Sequence, residues 1–290
     1  MKKVQVYTAK ESYCIRPNDD TTYIVKGLKE HPSDFEVNVS HEPDPELVKN
    51  AEVVFCRFEI PVNKTFLRAL IPYEDEGTRL FINSPSAKLY ESSKRNLRFL
   101  ADTEIIPKTK ISSNPEELVE FANSLEGKLI VKPIDLNGGK GIKLYNPNKL
   151  EDNELYSIAN RVTANGRNEV VFQSYIDGVE KLGDKRLTIF LYEPIAISLR
   201  IPPEGSYICN FSTGGTVVAT EINERDRYIC ETIKPMLIEK GITLAGIDII
   251  GPYLSEINVS SPGGMILVDK LQGNTNARDK MIDLLKQYKI

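Results

Sequence analysis

The sequence predicts an α/β protein made of α+β lobes, with a small parallel α/β lobe at its N-terminus. In residues 1–86, short strand patterns alternate with short helix patterns and brief links, which is typical of a parallel sheet. Further along, β-branched runs are joined by glycine and proline turns, which indicates antiparallel hairpins. A chain of 290 residues is long enough for two to three packed lobes.

Each element of the N-terminal lobe follows from a local pattern. Strands are expected where apolar and β-branched residues cluster, and helices where apolar residues recur at helical spacing. The predicted strands are 3–8, 34–39, 53–57 and 79–83. The predicted helices are 21–30, 44–50 and 64–70, and the lobe should end near Ser84-Pro85.

The remaining elements belong to residues 87–290. Asn114-Pro115 followed by two glutamates is strong helix-start chemistry, and Gly127 should end that helix. The other predicted helices are 87–100, 151–165, 223–240 with a kink at Pro235, and 276–288. Extended segments are predicted at 105–111, 129–133, 142–145, 170–175, 185–191 and 195–201, the last two turning around Glu193-Pro194, with a hairpin over 244–259.

Composition narrows the function. The net charge of −4 argues against a nucleic-acid partner, and no apolar run is long enough to span a bilayer. The start Met-Lys-Lys leads into a strand pattern and not a signal peptide, which predicts a cytoplasmic protein without a membrane partner.

Cysteines and histidines are too scattered for nucleophilic catalysis. His31 and His41 are the only histidines, so a Ser-His or Cys-His device is not expected. Cys14, Cys56, Cys209 and Cys230 lack metal-type spacing and are predicted to be reduced structural thiols. Any chemistry must therefore use charges, metals and backbone donors.

The predicted hairpin carries the strongest chemical signal. Folding it about Pro252 puts Asp248 directly opposite Glu256, and Asn258 on the same face. Like charges directly opposite cost stability, unless a hard cation such as Mg²⁺ lies between them. A solvent-facing polar side of an edge hairpin would show the same residues, so both interpretations stay open.

A glycine-rich loop, Asn137-Gly138-Gly139-Lys140-Gly141, lies between two predicted strands. Dinucleotide and Walker loops open a helix, so this loop is neither of them. Its amides could form an anion-binding nest, with Lys132 adding a charge to the same phosphate. A plain glycine turn is the alternative.

Three further groups of polar residues each allow two interpretations. The strand end at Gln173, Tyr175 and Ile176 could border an adenine ring or be ordinary core. Arg186 and Arg200, on neighbouring strands, could clamp a phosphate or carboxylate, or simply be solvated. The charges spread around the predicted 87–100 helix indicate a solvated cationic face: Lys88, Lys94, Arg95 and Arg98.

The order of these motifs resembles that of the bacterial glutathione synthetases of the ATP-grasp superfamily. The resemblance is strongest from Leu129 to Pro262, and its most specific parts are Gly183-Asp184-Lys185-Arg186 and the Glu256–Pro262 segment. Residues 18–22 and 57–61 are similar to shortened N-terminal segments of that family. The resemblance implies an ATP-grasp fold, with ATP held between two antiparallel sheets. The implied domains are a pre-ATP-grasp domain (1–86) and an ATP-grasp domain (87–290) with a lid-bearing lobe (87–168) and a catalytic lobe (169–290).

The resemblance also implies residue roles. ATP would be contacted by Lys94, Lys132, Asn137, Gly138, Gly139, Gly141, Gln173, Tyr175, Ile176 and Asp184. Mg²⁺, or Mn²⁺ in its place, would be held by Asp248, Glu256 and Asn258. The catalytic residues would be Arg186, Arg200 and Asn210, and the acyl substrate would face Arg200, Ser260 and Ser261.

The implied activity is that of an ATP-dependent carboxylate–amine ligase working through an acyl phosphate. The reading closest to the family is a glutathione synthetase that joins γ-glutamylcysteine to glycine, acting as a homodimer or homotetramer. A ligase for another small-molecule carboxylate and amine, or a non-catalytic ATP-binding module of the same fold, are the alternatives. The chain departs from the family at Ile208, where an arginine is expected, and again at Gly263–Ile266, so the second substrate stays open.

Overall fold

The computed structural model describes residues 1–8, 20–42, 44–57, 63–91, 94–136, 138–209 and 214–289. Their strands form three sheets. The N-terminal sheet consists of β1 (Lys2–Thr8), β2 (Phe35–Ser40), β3 (Val53–Arg57) and β4 (Leu80–Ile82). Its order is β2-β1-β3-β4 and its strand pairs are parallel, which confirms the predicted parallel lobe.

The other two sheets are antiparallel. The middle sheet has the order β5-β8-β6-β7 and contains β5 (Thr109–Ser112), β6 (Leu129–Pro133), β7 (Lys143–Tyr145) and β8 (Val170–Ser174). The C-terminal sheet has the order β11-β10-β9-β12-β13 and contains β9 (Asp184–Phe190), β10 (Glu193–Ile201), β11 (Thr216–Ala219), β12 (Leu244–Ile250) and β13 (Tyr253–Asn258). The fold class is therefore the one predicted.

Helices cover these sheets. They are α1 (Asp20–Lys29), α2 (Lys64–Asp75), α3 (Pro85–Tyr90), α4 (Pro115–Asn123), α5 (Asp152–Val162), α6 (Val179–Leu182), α7 (Glu224–Glu239), α8 (Met265–Gln272) and α9 (Asn276–Gln287). Short 3₁₀ segments lie at Pro45–Val48, Lys94–Leu100 and Pro147–Lys149. Local caps set several starts, as at α4, where Asn114 Oδ1 accepts from the amide of Glu116 at 2.8 Å. Among the described residues, no helix is both long and apolar enough to cross a bilayer.

Some predicted boundaries were wrong. The single helix expected at 87–100 is two pieces, because α3 ends at Tyr90 and the 3₁₀ segment begins at Lys94. In the sequence two serines, at 92 and 93, stand between these pieces, and serine competes with helical hydrogen bonding. The β9–β10 turn lies at Leu191-Tyr192, both with positive φ, and not at Glu193-Pro194; burial of Leu191 in the core holds it there.

One apolar core joins the N-terminal lobe to the C-terminal sheet. It combines side chains of β1 and β3 with others from β9, β10, α8 and α9. The rings of Phe55 and Phe190 stack across this boundary with centroids 6.5 Å apart. Asn83, fully buried, donates to the carbonyl oxygens of Leu244 and Val259 at 2.7 Å each. The N-terminal lobe thus packs directly on the hairpin β12–β13, while the division at residue 86 stays a prediction.

The middle sheet has a core of its own. Phe172 of β8 and Leu129 of β6 pack against Leu118 of α4 and Leu155 of α5. This core is separate from those that pack against the C-terminal sheet, so the two sheets belong to distinct packing units. The site described below lies between them.

The cysteines match the prediction where they are described. Cys56, Cys209 and Cys230 are buried free thiols. Burial raises the pKa of each to about 12, so they stay protonated at neutral pH. Cys14 lies outside the described residues.

Lys2 connects the first strand to the last helix, and its substitution should lower the stability of the chain measurably. Its Nζ donates to the carbonyl oxygens of Leu285 at 2.5 Å and Lys286 at 3.2 Å, which are orphan acceptors at the end of α9. Lys2→Met should lower the free energy of unfolding by about 1 kcal/mol. Urea unfolding measures this, with Lys3→Met at the exposed neighbouring position as control. Equal stability of the two variants would contradict the capping role.

Candidate active site

One face of the C-terminal sheet carries a cluster of charged side chains of both signs. Asp184 pairs with Arg200 across β9–β10, Arg186 with Asp248 across β9–β12, and Asp248 with Glu256 across β12–β13. Alternate residues of a strand share a face, so Asp184 and Arg186 point the same way. The predicted opposition of Asp248 and Glu256 is confirmed by the strand register.

Arginines compensate the buried carboxylates. Asp248 Oδ1 lies 3.0 Å from both Arg186 Nε and Arg200 Nη2, and Arg200 Nη2 lies 2.5 Å from Asp184 Oδ2. These are close ion pairs, yet Asp248 Oδ1, Asp184 Oδ1 and Arg200 Nε have no hydrogen bond of good geometry within the part of the chain that the structure describes. The cluster therefore keeps buried polar atoms that a bound ligand could satisfy.

Burial perturbs the protonation of this cluster. Burial raises the pKa of Asp184 to about 7, and the neighbouring Arg200 opposes that rise. Burial also works to lower the pKa of Arg200, but Asp248 and Asp184 outweigh it and raise the pKa above its usual value. Arg200 is therefore charged, and its charge is what allows two carboxylates to lie close together.

Gly246 makes room for Arg186. A Cβ at this position of β12 would lie 2.6 Å from Arg186 Nη1 and 2.8 Å from Pro262 Cβ. The arginine side chain therefore passes directly over the strand backbone. Gly246 was not among the predicted site residues, although a glycine inside a strand is a recognised signal of close approach.

The predicted metal ligands lie on this face. Asp248 and Glu256 face each other, and Asn258 pairs with Gly246 further along. The amide nitrogen of Asn258, Nδ2, has no hydrogen-bond partner among the described residues. Two carboxylates and an amide oxygen suit a hard divalent cation. Among the described residues, no group of three His, Cys, Asp or Glu side chains is placed to hold a metal ion. Because Asp248 is buried, the solvent-facing interpretation does not apply to it.

Two buried lysines from outside the C-terminal sheet approach its charged face: Lys94 from a 3₁₀ segment and Lys132 from β6. Lys94 Nζ donates to the carbonyl oxygen of Leu136 and lies 3.4 Å from Glu256 Oε1. Lys132 Nζ donates to Gln173 Oε1 at 2.8 Å and Ser255 Oγ at 3.1 Å. Burial lowers the pKa of Lys132, and Glu256 opposes this shift.

The solvated cationic face expected at 87–100 was therefore wrong for Lys88 and Lys94, whereas the side chains of Arg95 and Arg98 are partly exposed. Lys88 and Lys94 are buried, and both bind carbonyl oxygens. Arg95 Nε lies 2.5 Å from Glu169, which Arg98 also contacts. The helix break after Tyr90 changes which way these side chains point, and a continuous helical pattern could not reveal that.

A cleft between the middle and C-terminal sheets unites these groups. Its first cavity, about 580 Å³ including the open mouth, is lined by Lys94, Lys132, Gly138, Gly139, Asp184, Asp248 and Glu256 among others. Its second, about 290 Å³, is lined by Gln173, Tyr175, Ile176 and Val179 among others. The two share Ile130, Lys132, Tyr207, Ile250 and Ser255, so they form one continuous space.

Some predicted site residues lie elsewhere or cannot be described. Asp184 lines the first cavity with the carboxylates, and not the second with Gln173. Ser260 and Ser261 line neither cavity. Asn137 and Asn210 lie outside the described residues, as do residues 18, 19 and 58–61.

The glycine loop has the backbone that glycine favours. Gly138, Gly139 and Gly141 all have φ near +70°, a region costly for other residues. A Cβ on Gly141 would also lie 2.8 Å from Pro133 Cγ. Gly138 and Gly139 border the first cavity, and anion binding by this loop stays a prediction.

Lys88 belongs to this region as well, although the sequence predicted a solvated side chain there. Its Nζ donates to the carbonyl oxygen of Ser260, just beyond the predicted metal ligands, and Arg57 Nη1 donates to Pro262 O at 2.9 Å. Lys88 and Arg57 thus fix the 260–262 segment. Burial lowers the pKa of Lys88 to about 7, Cys56 opposing and Arg57 adding to the shift.

Lys88→Met should change the pH dependence of stability. The unfolded lysine holds its proton up to about pH 10. The folded one loses it near pH 7, so the parent becomes more stable as pH rises above 7. The methionine variant has no such proton to lose, so its stability lacks this dependence on pH. As pH falls from 9 to 6, its free energy of unfolding should therefore rise by about 2 kcal/mol relative to that of the parent. Urea unfolding at both pH values tests this against exposed Lys149→Met, and a difference independent of pH would contradict it.

Comparison with solved structures defines the class. A D-cycloserine synthetase superposes with a TM-score of 0.67 over 98% of this chain and 99% of that chain, at 16% identity. A RiPP-associated ATP-grasp ligase from Chryseobacterium gregarium, in complex with ADP and peptide, gives 0.65 over 98% and 97%, at 15% identity. The fold is that of the ATP-grasp ligases.

Sequence comparison identifies the family. The model of the prokaryotic glutathione synthetase ATP-grasp domain matches residues 95–273. The glutathione synthetase of Gloeobacter violaceus is 34% identical over 83% of this chain and 74% of its own length, and that of Thermosynechococcus vestitus 36% identical over 76% and 68%. The chain belongs to the prokaryotic glutathione synthetase family and is an ATP-dependent carboxylate–amine ligase, which sets aside a non-catalytic module.

Proposed function

We propose that this chain joins γ-glutamylcysteine to glycine, with ATP and Mg²⁺, as its glutathione synthetase relatives suggest. The observation that carries the proposal is the continuous cleft in which Lys94 and Lys132 face Asp248 and Glu256. Cations on one side and carboxylates on the other suit a metal–triphosphate complex, which carries both signs of charge.

The two cavities suggest how ATP would lie. The second, bordered by Gln173 and Ile176, would take the adenine, and the first would take the phosphates beside Lys132 and Gly139. Asp248, Glu256 and Asn258 would hold Mg²⁺, which neutralises phosphate charge when bound. The arginines engage Oδ1 of Asp248, and a carboxylate offers about four acceptor sites, so its other oxygen can serve a cation.

The reaction needs two anions to meet. An oxygen of the substrate carboxylate attacks the γ-phosphorus, the bond to the β-phosphate oxygen breaks and ADP leaves. The amine nitrogen then attacks the acyl carbon, phosphate leaves and the amine loses a proton to solvent. Fixed cations lower both barriers because they need no reorganisation as charge moves.

Arg186 and Arg200 would have different roles in this reaction. The side chain of Arg186 is 18% exposed and that of Arg200 8% exposed. Arg186 is therefore the better placed to contact the transferred phosphoryl group. Arg200, engaged with Asp184 and Asp248, acts as the residue that positions them.

A different substrate pair is the second candidate. Ile208 lines the first cavity where the resemblance expects an arginine, and an aliphatic side chain cannot bind a carboxylate. This favours an amine or acyl substrate without an anionic group at that point. The chemistry would be unchanged.

Phosphate release with ATP and Mg²⁺ tests both candidates over a panel of acids and amines. Turnover that requires γ-glutamylcysteine and glycine together supports the first, and turnover only with other pairs supports the second. Chelation by EDTA should stop either, and excess Mg²⁺ should restore it. Activity that survives chelation would contradict the metal assignment.

A further inference from the structure

Tyr207 occupies the junction of the two cavities. It lies on the segment that links β10 to β11, and it is half-buried. Among the described residues that line both cavities, the others are aliphatic or small side chains and Lys132, so Tyr207 alone offers an aromatic face. A nucleotide that extends from one cavity to the other would have to pass it.

A second tyrosine holds this ring from the opposite lobe. Tyr175, just after β8, meets Tyr207 edge to face, with ring centroids 6.3 Å apart at 90°. Tyr175 is itself fixed, because its hydroxyl donates to Glu180 at 2.9 Å and Lys128 Nζ lies 5.5 Å from its ring centroid. The pair therefore connects the middle sheet to the β10–β11 segment across the cleft.

The wall that continues from Tyr207 carries no charge. Ile208 and Cys209 follow it along the first cavity, and Ser206 Oγ accepts from the Ile208 amide at 3.0 Å. The phosphates would be served by Lys94 and Lys132 on other elements. An uncharged aromatic wall suits the π-face of a base or the apolar side of a ribose, and not a triphosphate.

We propose that Tyr207 contacts the nucleoside part of ATP. Through Tyr175, the same contact holds residues 206–209 against the bound nucleotide. Nucleotide binding then sets the position of Ile208, and with it the wall that the other substrates meet. This inference rests on the proposed function only in requiring that the cleft binds ATP.

Calorimetric titration with two ligands, ADP and inorganic tripolyphosphate, tests the contact. Tyr207→Ala should raise the Kd for ADP about tenfold, the scale of losing one aromatic–base contact. Tyr207→Phe, which keeps the ring, should stay within about twofold. Neither variant should change tripolyphosphate binding, because that ligand has no base or ribose. Tyr207→Leu provides a second aliphatic variant if the alanine variant does not fold.

Each other outcome overturns the inference. Equal loss for both ligands would mean that Tyr207 only maintains the shape of the cleft. Unchanged or tighter ADP binding would mean that the ring is remote from the nucleoside or competes with it. Ile176→Ala and Lys132→Met separate this failure from that of the proposed function. If both weaken ADP binding and Tyr207→Ala does not, the present inference alone fails; if neither weakens it, the cleft is not the nucleotide site.

Discussion

Glu256→Gln is expected to lower Mg²⁺-dependent kcat by about a thousandfold while the chain stays folded. Glutamine keeps the size of the side chain but removes the charge that a divalent cation needs. Folding should not suffer, because the change relieves repulsion between Glu256 and Asp248 on neighbouring strands. Lys94, 3.4 Å from Glu256, keeps its bond to the Leu136 carbonyl oxygen.

Phosphate release and thermal unfolding, measured together, separate the two effects. Glu239→Gln is the matched control, because that side chain is 73% exposed and remote from the cleft. The control should have parental activity and melting temperature. If Glu256→Gln retained turnover within about twofold at saturating Mg²⁺, the carboxylate would not be a metal ligand.

The hairpin shows why local sequence was a good guide to part of the site. A two-residue turn at Gly251-Pro252 alone would pair Asp248 with Ser255. The register shifts between Asp248 and Ile249, so that Ser255 is the extra residue and Glu256 lies opposite Asp248. The prediction centred the fold on Pro252 and so reached the same pairing without knowing of the bulge. The extra residue of the bulge also takes part in the site, because Ser255 Oγ accepts a hydrogen bond from Lys132 Nζ.

Contacts between distant segments were beyond the reach of local patterns. Helix α8 was not predicted, since Gly263-Gly264 precedes it and offers no capping side chain. Its cap comes from Asp20, whose carboxylate accepts from the amides of Gly264 at 2.7 Å and Ile266 at 2.8 Å. Lys88 was misjudged for the same reason, because its partner Ser260 is remote in sequence.

The contacts of the two arginines were also beyond what the sequence could predict. The sequence placed Arg186 and Arg200 on neighbouring strands and left two readings, a clamp for a ligand or solvated ends. Both arginines form ion pairs with Asp248 because β12 pairs with β9, a strand that is far away in the sequence. Strand order in an antiparallel sheet is decided by packing of whole faces, and no local motif encodes it.

Arg200→Met is expected to cost both stability and activity. Arg200 is buried and engages Asp184 at 2.5 Å and Asp248 at 3.0 Å. Removing it leaves two buried carboxylates close together without that charge, a situation that costs about 3–5 kcal/mol. Phosphate release should fall below detection, because Asp248 loses the partner that positions it.

A second change in the same chain isolates the electrostatic cause. Adding Asp184→Asn to Arg200→Met removes one of the two carboxylates and should restore part of the stability, but not the activity. Lower pH should act in the same direction. The pKa of Asp184 is already raised to about 7 in the folded parent, so the folded state binds its proton more readily than the unfolded state. Removing Arg200, which opposes that rise, raises the pKa of Asp184 further. The variant therefore gains more stability than the parent as pH falls from 8 to 5, and its stability deficit should shrink.

Urea unfolding at both pH values measures this, with exposed Arg227→Met as control. The control should match the parent at each pH. A deficit that is the same at pH 8 and pH 5, and that Asp184→Asn leaves untouched, would mean that Arg200 contributes through packing. The carboxylates would then hold their positions without it, and the assignment of Arg200 as the residue that positions the metal-binding face would be wrong.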